Sequence, residues 1–357
     1  MSQDLYHAIY NSEVFEKSQC IWHENTLMSF FQSQLIKLGY EPVREGNKTW
    51  RRGDKTVVIC LVDDYISTTD NYETEVAYKF DRNTTVITDN YVTSPTLYKV
   101  FQLPSSFFGI YNYQPALTDF KPTRRFNFSV NRIDSRRMLM LLEIVKRLSD
   151  YPNADTLDFV NFNCWSWDGD NSTEQGLRKN FADAFEQLEP QYKEMYADAY
   201  AEIAESMPFR NHDMSMEQAH LSAFVNVVME TYASDTTVAL SEKTFRALVT
   251  PAPCILYSGK HTVSYLASLG FDTLNDIINH RYDVLVDNKT ASFGDKFVEY
   301  LFTGADAYNT LSSMDPTQLK HRCQLASKQN QAVLEQMSQR WPTDFAAWLP
   351  AVIDHIK

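Results

Sequence analysis

Phe224-Val225-Asn226-Val227-Val228-Met229-Glu230, then Glu242-Lys243-Thr244-Phe245-Arg246-Ala247-Leu248-Val249, then Cys254-Ile255-Leu256-Tyr257 is the run that decides the fold. It reads as strand, helix, strand. Upstream, Arg125–Val130 (RFNFSV) alternates like a strand, and Asp134 or Ser135 can cap a helix over Arg136–Leu148. Leu157–Phe162 is strand-like, and a long helical region covers Glu174–Ser206. Downstream, Thr262–Leu269 reads as a helix ended by Gly270 at the C′ position. Strands alternating with helices imply an α/β unit with a parallel sheet covered on both faces.

The N-terminal third repeats the theme. Leu27, Phe30, Phe31, Leu35 and Leu38 recur at helical spacing within Thr26–Leu38. Thr56–Val62 (TVVICLV) is a continuous β-branched run, as expected of a strand buried on both faces, and it ends in Asp63 and Asp64. Thr84–Thr88 ends in Asp89. Apolar strands ending in polar residues fit an open α/β sheet with function at the carboxyl edge. Pro115 and Pro122 mark a connection near Ala116–Thr123. The tail, Pro316–Lys357, reads as all-helical, amphipathic over Lys320–Gln339 and anchored by Trp341 and Trp348. The expected domains are 1–121, 122–325 and a C-terminal helical piece, 326–357, packing back on the first.

The 357 residues suit two domains, and 44% hydrophobic residues suffice for two cores. Five widely spaced cysteines form no C-x-x-C or metal-like pattern, so no metal is expected. The first ten residues lack the regions of a signal peptide, and no segment approaches a membrane span; a cytoplasmic location without membrane contact is expected. A net charge of −13 demands a local basic patch for any nucleic-acid contact.

No G-x-G-x-x-G and no P-loop occurs, which argues against dinucleotide enzymes and P-loop kinases. A phosphate must then be held by side chains or a helix N-terminus. Ser241-Glu242-Lys243-Thr244 is the best candidate: Ser241 is placed to cap a helix, and Lys243 sits in a first turn where the helix dipole disfavours a cation. A bound anion would resolve that conflict, and Glu242 could accept from ribose hydroxyls. The competing reading is a solvent-facing cap with ordinary charges. Arg132, Arg136 and Arg137 form a basic group at a strand–helix junction, able to grip phosphate or simply to be solvated. The only four-residue ion pair expected on that helix is Glu143 with Arg147, which leaves these arginines without an obvious local partner.

Met229-Glu230-Thr231-Tyr232 followed by Leu240-Ser241-Glu242-Lys243-Thr244-Phe245 resembles the sugar-nucleotide motif of α-1,3-fucosyltransferases, in which a strand ends in an acid and a Thr-Glu-Lys helix start follows a short loop. Ala252-Pro253-Cys254-Ile255-Leu256-Tyr257-Ser258-Gly259 resembles that family's next buried strand. Leu266-Ala267-Ser268-Leu269-Gly270-Phe271-Asp272-Thr273-Leu274 is similar to a recurrent tail in phage glycosyltransferase-like proteins. The resemblance covers roughly residues 125–285. Thr231-Tyr232 stands where the family has Asn-Ser, and Ala247 and Thr250-Pro251 alter the following helix; these departures weigh against GDP-fucose as the donor.

The resemblance implies a GT-B architecture: two facing Rossmann-like domains, C-terminal helices crossing back to the first, and no cofactor beyond the nucleotide-sugar donor. It implies Lys243 on the diphosphate, Glu242 on ribose, Glu230 supporting the loop or nucleotide, and Arg132 on phosphate, with Arg136, Ser241 and Thr244 alongside. The acceptor base would come from the first domain, with Asp63, Asp64 and Asp89 as candidates. The phage-like tail points to DNA bearing 5-hydroxymethylcytosine as acceptor and to a UDP-sugar such as UDP-arabinose as donor. Arg44, Lys48, Trp50, Arg51, Arg52 and Lys55 form the matching basic–aromatic cluster for double-stranded DNA, an exposed hairpin being the alternative. A fucosyltransferase-like enzyme acting on a glycan or lipid-linked acceptor and a catalytically silent binding protein are the other readings.

Overall fold

The computed structural model describes residues 20–43, 48–61, 82–89, 91–92, 98–111, 124–128, 134–149, 174–206, 220–221, 223–230, 237–238, 240–284, Leu311 and 313–357. The strands are β1 (Glu41–Pro42), β2 (Thr49–Arg52), β3 (Lys55–Cys60), β4 (Thr84–Thr88), β5 (Tyr91–Val92), β6 (Lys99–Gln102), β7 (Arg124–Phe128), β8 (Ala223–Met229), β9 (Thr237–Val238) and β10 (Cys254–Tyr257). The helices are α1 (Cys20–Lys37), α2 (Phe107–Tyr111), α3 (Ser135–Ser149), α4 (Glu174–Glu186), α5 (Pro190–Met195), α6 (Ala197–Ser206), α7 (Glu242–Val249), α8 (Thr262–Ser268) and α9 (Pro316–Ile356). Internal contacts divide the chain into two units. The first holds Met1–Pro115, Tyr232–Glu242 and Gln331–Lys357; the second holds Ala116–Thr231 and Lys243–Asn330.

In the first unit, five strands order as β1-β2-β3-β4-β6. β3, β4 and β6 run parallel, and β1 and β2 are antiparallel additions. β2 turns into β3 through Gly53-Asp54, with Gly53 at φ 59, the sign that a two-residue hairpin loop needs at its first position. Val57, Val58, Ile59 and Cys60 are all buried, so β3 is covered on both faces, as its β-branched run predicts. The C-terminal half of α9 lies in this unit: Trp341 packs on Phe107 at 5.3 Å and Phe345 at 4.8 Å, and Trp348 meets Phe31 edge-on at 6.0 Å. α2 crosses α9 at Gly109, where a Cβ would stand 2.2 Å from the Ser338 nitrogen, so only glycine fits.

In the second unit, β10-β8-β7 form a fully parallel sheet with β8 at the centre. α3 starts as its sequence predicts. The Asp134 carboxylate accepts from the Arg137 backbone N–H at 3.0 Å, and the Asp134 carbonyl accepts the first helical bond from Met138. The helical region expected over 174–206 is made of three helices, α4, α5 and α6. Pro190 cannot continue a helix, and Glu189 before it is extended, at φ −60 and ψ 148. α8 ends in a Schellman turn: Gly270 has φ 97, Phe271 donates to the Leu266 carbonyl and Gly270 to that of Ala267.

The last carbonyls of α7 are taken by α9. Asn330 donates to Leu248 O at 2.8 Å and Ser327 to Val249 O at 2.6 Å. Arg322 grips Asp272 and Asp276 with both ends of its guanidinium, fixing the turn after α8 to the same helix. On β10, the Leu256 N–H donates to the Tyr282 hydroxyl at 3.2 Å. That hydroxyl lies 2.8 Å from His280 Nδ1, and His280 Nε2 lies 2.7 Å from Thr273 O. The consistent arrangement is Nε2–H donating to the carbonyl and Tyr282 donating to Nδ1.

Candidate functional site

Two of the sequence-predicted donor residues, Glu230 and Thr244, meet at the carboxyl end of β8. Glu230 follows directly on the strand, and its backbone N–H donates to Tyr257 O at 2.8 Å, extending the ladder by one residue. Its carboxylate is buried and accepts from Thr244 Oγ1 at 2.5 Å. Thr244 lies in the first turn of α7, so the bond ties strand end to helix start. Lys243, the neighbouring residue, is 8% exposed. A first-turn Lys on the solvent would be unremarkable; this one is inside. Ser241 is half-buried just before the helix, and Glu242 opens it with its side chain outside the described residues.

Cys254, at the start of β10 and in register with Asn226, has its thiol pushed well up, first by burial and then by the Glu230 charge. It is a packed thiol rather than a nucleophile.

Below this edge runs a second buried polar group. Asn127 on β7 donates to Asn226 Oδ1 at 3.1 Å, and His220 Nδ1 lies 2.9 Å from the same oxygen. Because that oxygen can only accept, His220 carries its proton on Nδ1. Burial is the main cause that lowers the His220 pKa to about 4; the Asn226 bond opposes it and the Arg246 charge adds to it.

The 3-10 turn after α8, Arg281–Val284, carries a further acid. Asp283 accepts from the backbone N–H of Val263 at 2.8 Å and of Ser264 at 3.1 Å, and from Ser264 Oγ at 2.9 Å. α8 has no acid in its own first turn, so Asp283, about twenty residues on, supplies the charge its N-terminus favours. No local sequence signal announces this. His261, at the start of α8, has φ 68, and its N–H donates to Asp283 O.

Arg132, Asp63, Asp64 and Arg44 lie outside the described residues, as does the Arg136 side chain. Arg137 is buried and lies 3.7 Å from Asp134, so the absence of a local partner does not hold for it. Glu143 is buried and accepts from Tyr196 OH at 2.8 Å, a packing contact between α3 and the residue before α6. Asp89 is buried at the carboxyl end of β4 in the first unit.

The β2–β3 hairpin is divided. Trp50 is 5% exposed and belongs to the core, which takes it out of reach as a base wedge. Arg52 donates to Leu38 O at 2.8 Å, to Ile356 O at 3.4 Å and to Lys357 O, and its guanidinium lies 4.7 Å from the Tyr40 ring centre. It thereby caps the carbonyl ends of α1 and α9. Arg51 and Lys55 point to solvent.

Among the described residues, no group of three His, Cys, Asp or Glu could hold a metal, and no helix is long and apolar enough to cross a membrane. No family model, no curated protein and no solved structure matches this chain.

Proposed function

We propose that this chain is a GT-B-type glycosyltransferase that holds a nucleotide-sugar donor at the carboxyl edge of the β7–β8–β10 sheet. The carrying observation is the convergence of Glu230, Thr244 and the buried Lys243 at the end of the central parallel strand. Ligands of open parallel sheets bind at that edge, and a cation in a first helical turn suits a diphosphate. In this reading Lys243 neutralises the diphosphate as its bond to the sugar carbon breaks, and Glu242 holds the ribose. The acceptor hydroxyl oxygen forms the new bond to that carbon and gives its proton to a carboxylate, with Asp89 the described candidate. The donor is a UDP-sugar such as UDP-arabinose, and the acceptor is 5-hydroxymethylcytosine in DNA.

A glycan or lipid-linked acceptor is the second reading, favoured by the burial of Trp50 and the engagement of Arg52 with helix ends. A melting-temperature screen against nucleotide sugars tests the shared core: a donor at a hundredfold excess over its Kd should stabilise by about 2.7 kcal/mol. No shift with any nucleotide sugar would leave the silent binding protein.

A further inference from the structure

The fold collects cations that are far apart in sequence along one edge of the first unit's sheet. Arg51 and Arg52 end β2, and Arg52 faces Lys55 at the start of β3. Thr56 N–H donates to Asn83 O at 3.1 Å, which sets Asn83 and its neighbour Arg82 beside the start of β3. Val57, Thr85 and Lys99 are in register, so Lys99 opens β6 at the same edge. Four adjacent strands at about 4.8 Å spacing make this row about 14 Å long.

His355 completes the row from α9. Its Nε2 lies 3.1 Å from Thr85 Oγ1 and its ring 5.0 Å from that of Phe101, over which the Lys99 ammonium sits at 5.4 Å. Burial is the main cause that lowers the His355 pKa, followed by the Lys99 and Lys55 charges, so these three groups share one field. Arg51, Lys55, Arg82 and Lys99 are all exposed, and among the described residues none of them forms an ion pair. Three acids stand at this edge among the described residues. Glu41 is opposite Arg51, Asp54 accepts from Asn83, and Asp354 is paired with Lys357. In a chain of net charge −13, such a row is a marked local reversal.

We propose that this edge, with Arg51, Lys55, Arg82 and Lys99 as its exposed cations, is a phosphate-backbone surface that anchors double-stranded DNA. The inference rests on the DNA-acceptor reading and relocates its contacts, since Trp50 and Arg52 are engaged inside the unit. Duplex DNA presents one charge per about 1.7 Å of axis, so a 14 Å row meets several phosphates. An anionic bilayer is the less fitting partner, because interfacial binding needs apolar groups beside the cations and these exposed positions are polar. The row lies at the opposite end of β4 from Asp89, about 15 Å away at the usual strand rise. It therefore anchors the backbone and does not touch the reacting nucleotide.

The test is fluorescence anisotropy of the full chain with a labelled duplex of about 20 base pairs across a salt series, comparing wild type with Lys55→Glu/Lys99→Glu. Wild type should bind with strong salt dependence. The double variant should lose at least about tenfold in affinity at 0.1 M salt and flatten the log–log salt slope by about two, one per lost phosphate contact. Arg82→Gln, a milder surface change, should flatten it by about one. Melting temperatures of the variants confirm folding. Absence of DNA binding by wild type, equal binding by folded variants, or retention on phosphatidylserine vesicles instead of DNA would each overturn the proposal. The melting shift with a UDP-sugar is read in parallel. Its absence, with DNA binding intact, would remove the glycosyltransferase reading and leave the surface standing.

Discussion

The hydroxyl of Thr244 donates to the buried carboxylate of Glu230 at 2.5 Å, so the first turn of α7 is fastened to the end of the central strand of its sheet. Thr244→Val keeps the shape and removes the donor. The carboxylate then stays buried short of one partner, at a cost of about 1–3 kcal/mol. Chemical denaturation should show a lower midpoint at constant slope, and Thr244→Ser should recover most of the loss. A midpoint unmoved by the valine would mean the bond is not held in solution.

Lys243 separates the catalytic reading from a packing role. Lys243→Met keeps a buried unbranched stem and deletes the charge. If the ammonium stabilises the departing diphosphate, kcat/KM should fall about 10²–10³-fold while the melting temperature stays near wild type. Near-normal turnover in this variant would move the donor site elsewhere. Glu242→Ala should act mainly on the donor KM, because a ribose contact is alike in ground and transition states.

His220 sets a pH dependence. Its folded pKa is about 4, below the unfolded value of 6.5, because the buried ring resists charging. Between those values the unfolded chain binds the proton and the folded one does not. Stability from this group is therefore full above pH 6.5 and lost as pH falls towards 4, amounting to about 3 kcal/mol over that window. His220→Gln should remove that part of the acid sensitivity in melting curves taken from pH 7 to 4. An unchanged acid limb in the variant would assign it to other groups.

Arg52 is expected to matter for stability. Arg52→Ala strips the carbonyls of Leu38, Ile356 and Lys357 of a charged donor, which should destabilise by about 1.5–3 kcal/mol, towards the lower end because the group is part-exposed. Arg52→Lys should recover little, since an ammonium lacks the fork that reaches two helix ends. Equal stability of all three proteins, measured by denaturant titration, would return Arg52 to the surface row.

Local chemistry was enough for several elements. Cys254–Tyr257 is a strand and Glu242–Val249 a helix at the limits their sequences predict, and Gly270 terminates α8 in the left-handed conformation only glycine takes readily. Asp134 caps α3 as its position suggests. These depend on residues a few positions apart.

By itself, the sequence determined the alternation of strands and helices, the parallel pairing it implies for β7, β8 and β10, and the nearness of Glu230, Lys243 and Thr244, which twelve intervening residues already restrict. Tertiary structure decided which of two tryptophan-and-arginine roles the hairpin plays, burying Trp50 and placing Arg52 on the carbonyls at the end of α9, over 300 residues away. It also decided that Asp283 sits on the amides of α8 and that Lys55, Arg82, Lys99 and His355 share an edge. The physical reason is one of range. Propensity, capping and turn chemistry act within a few residues, whereas strand order and the landing point of a long helix are set by which buried surfaces fit together.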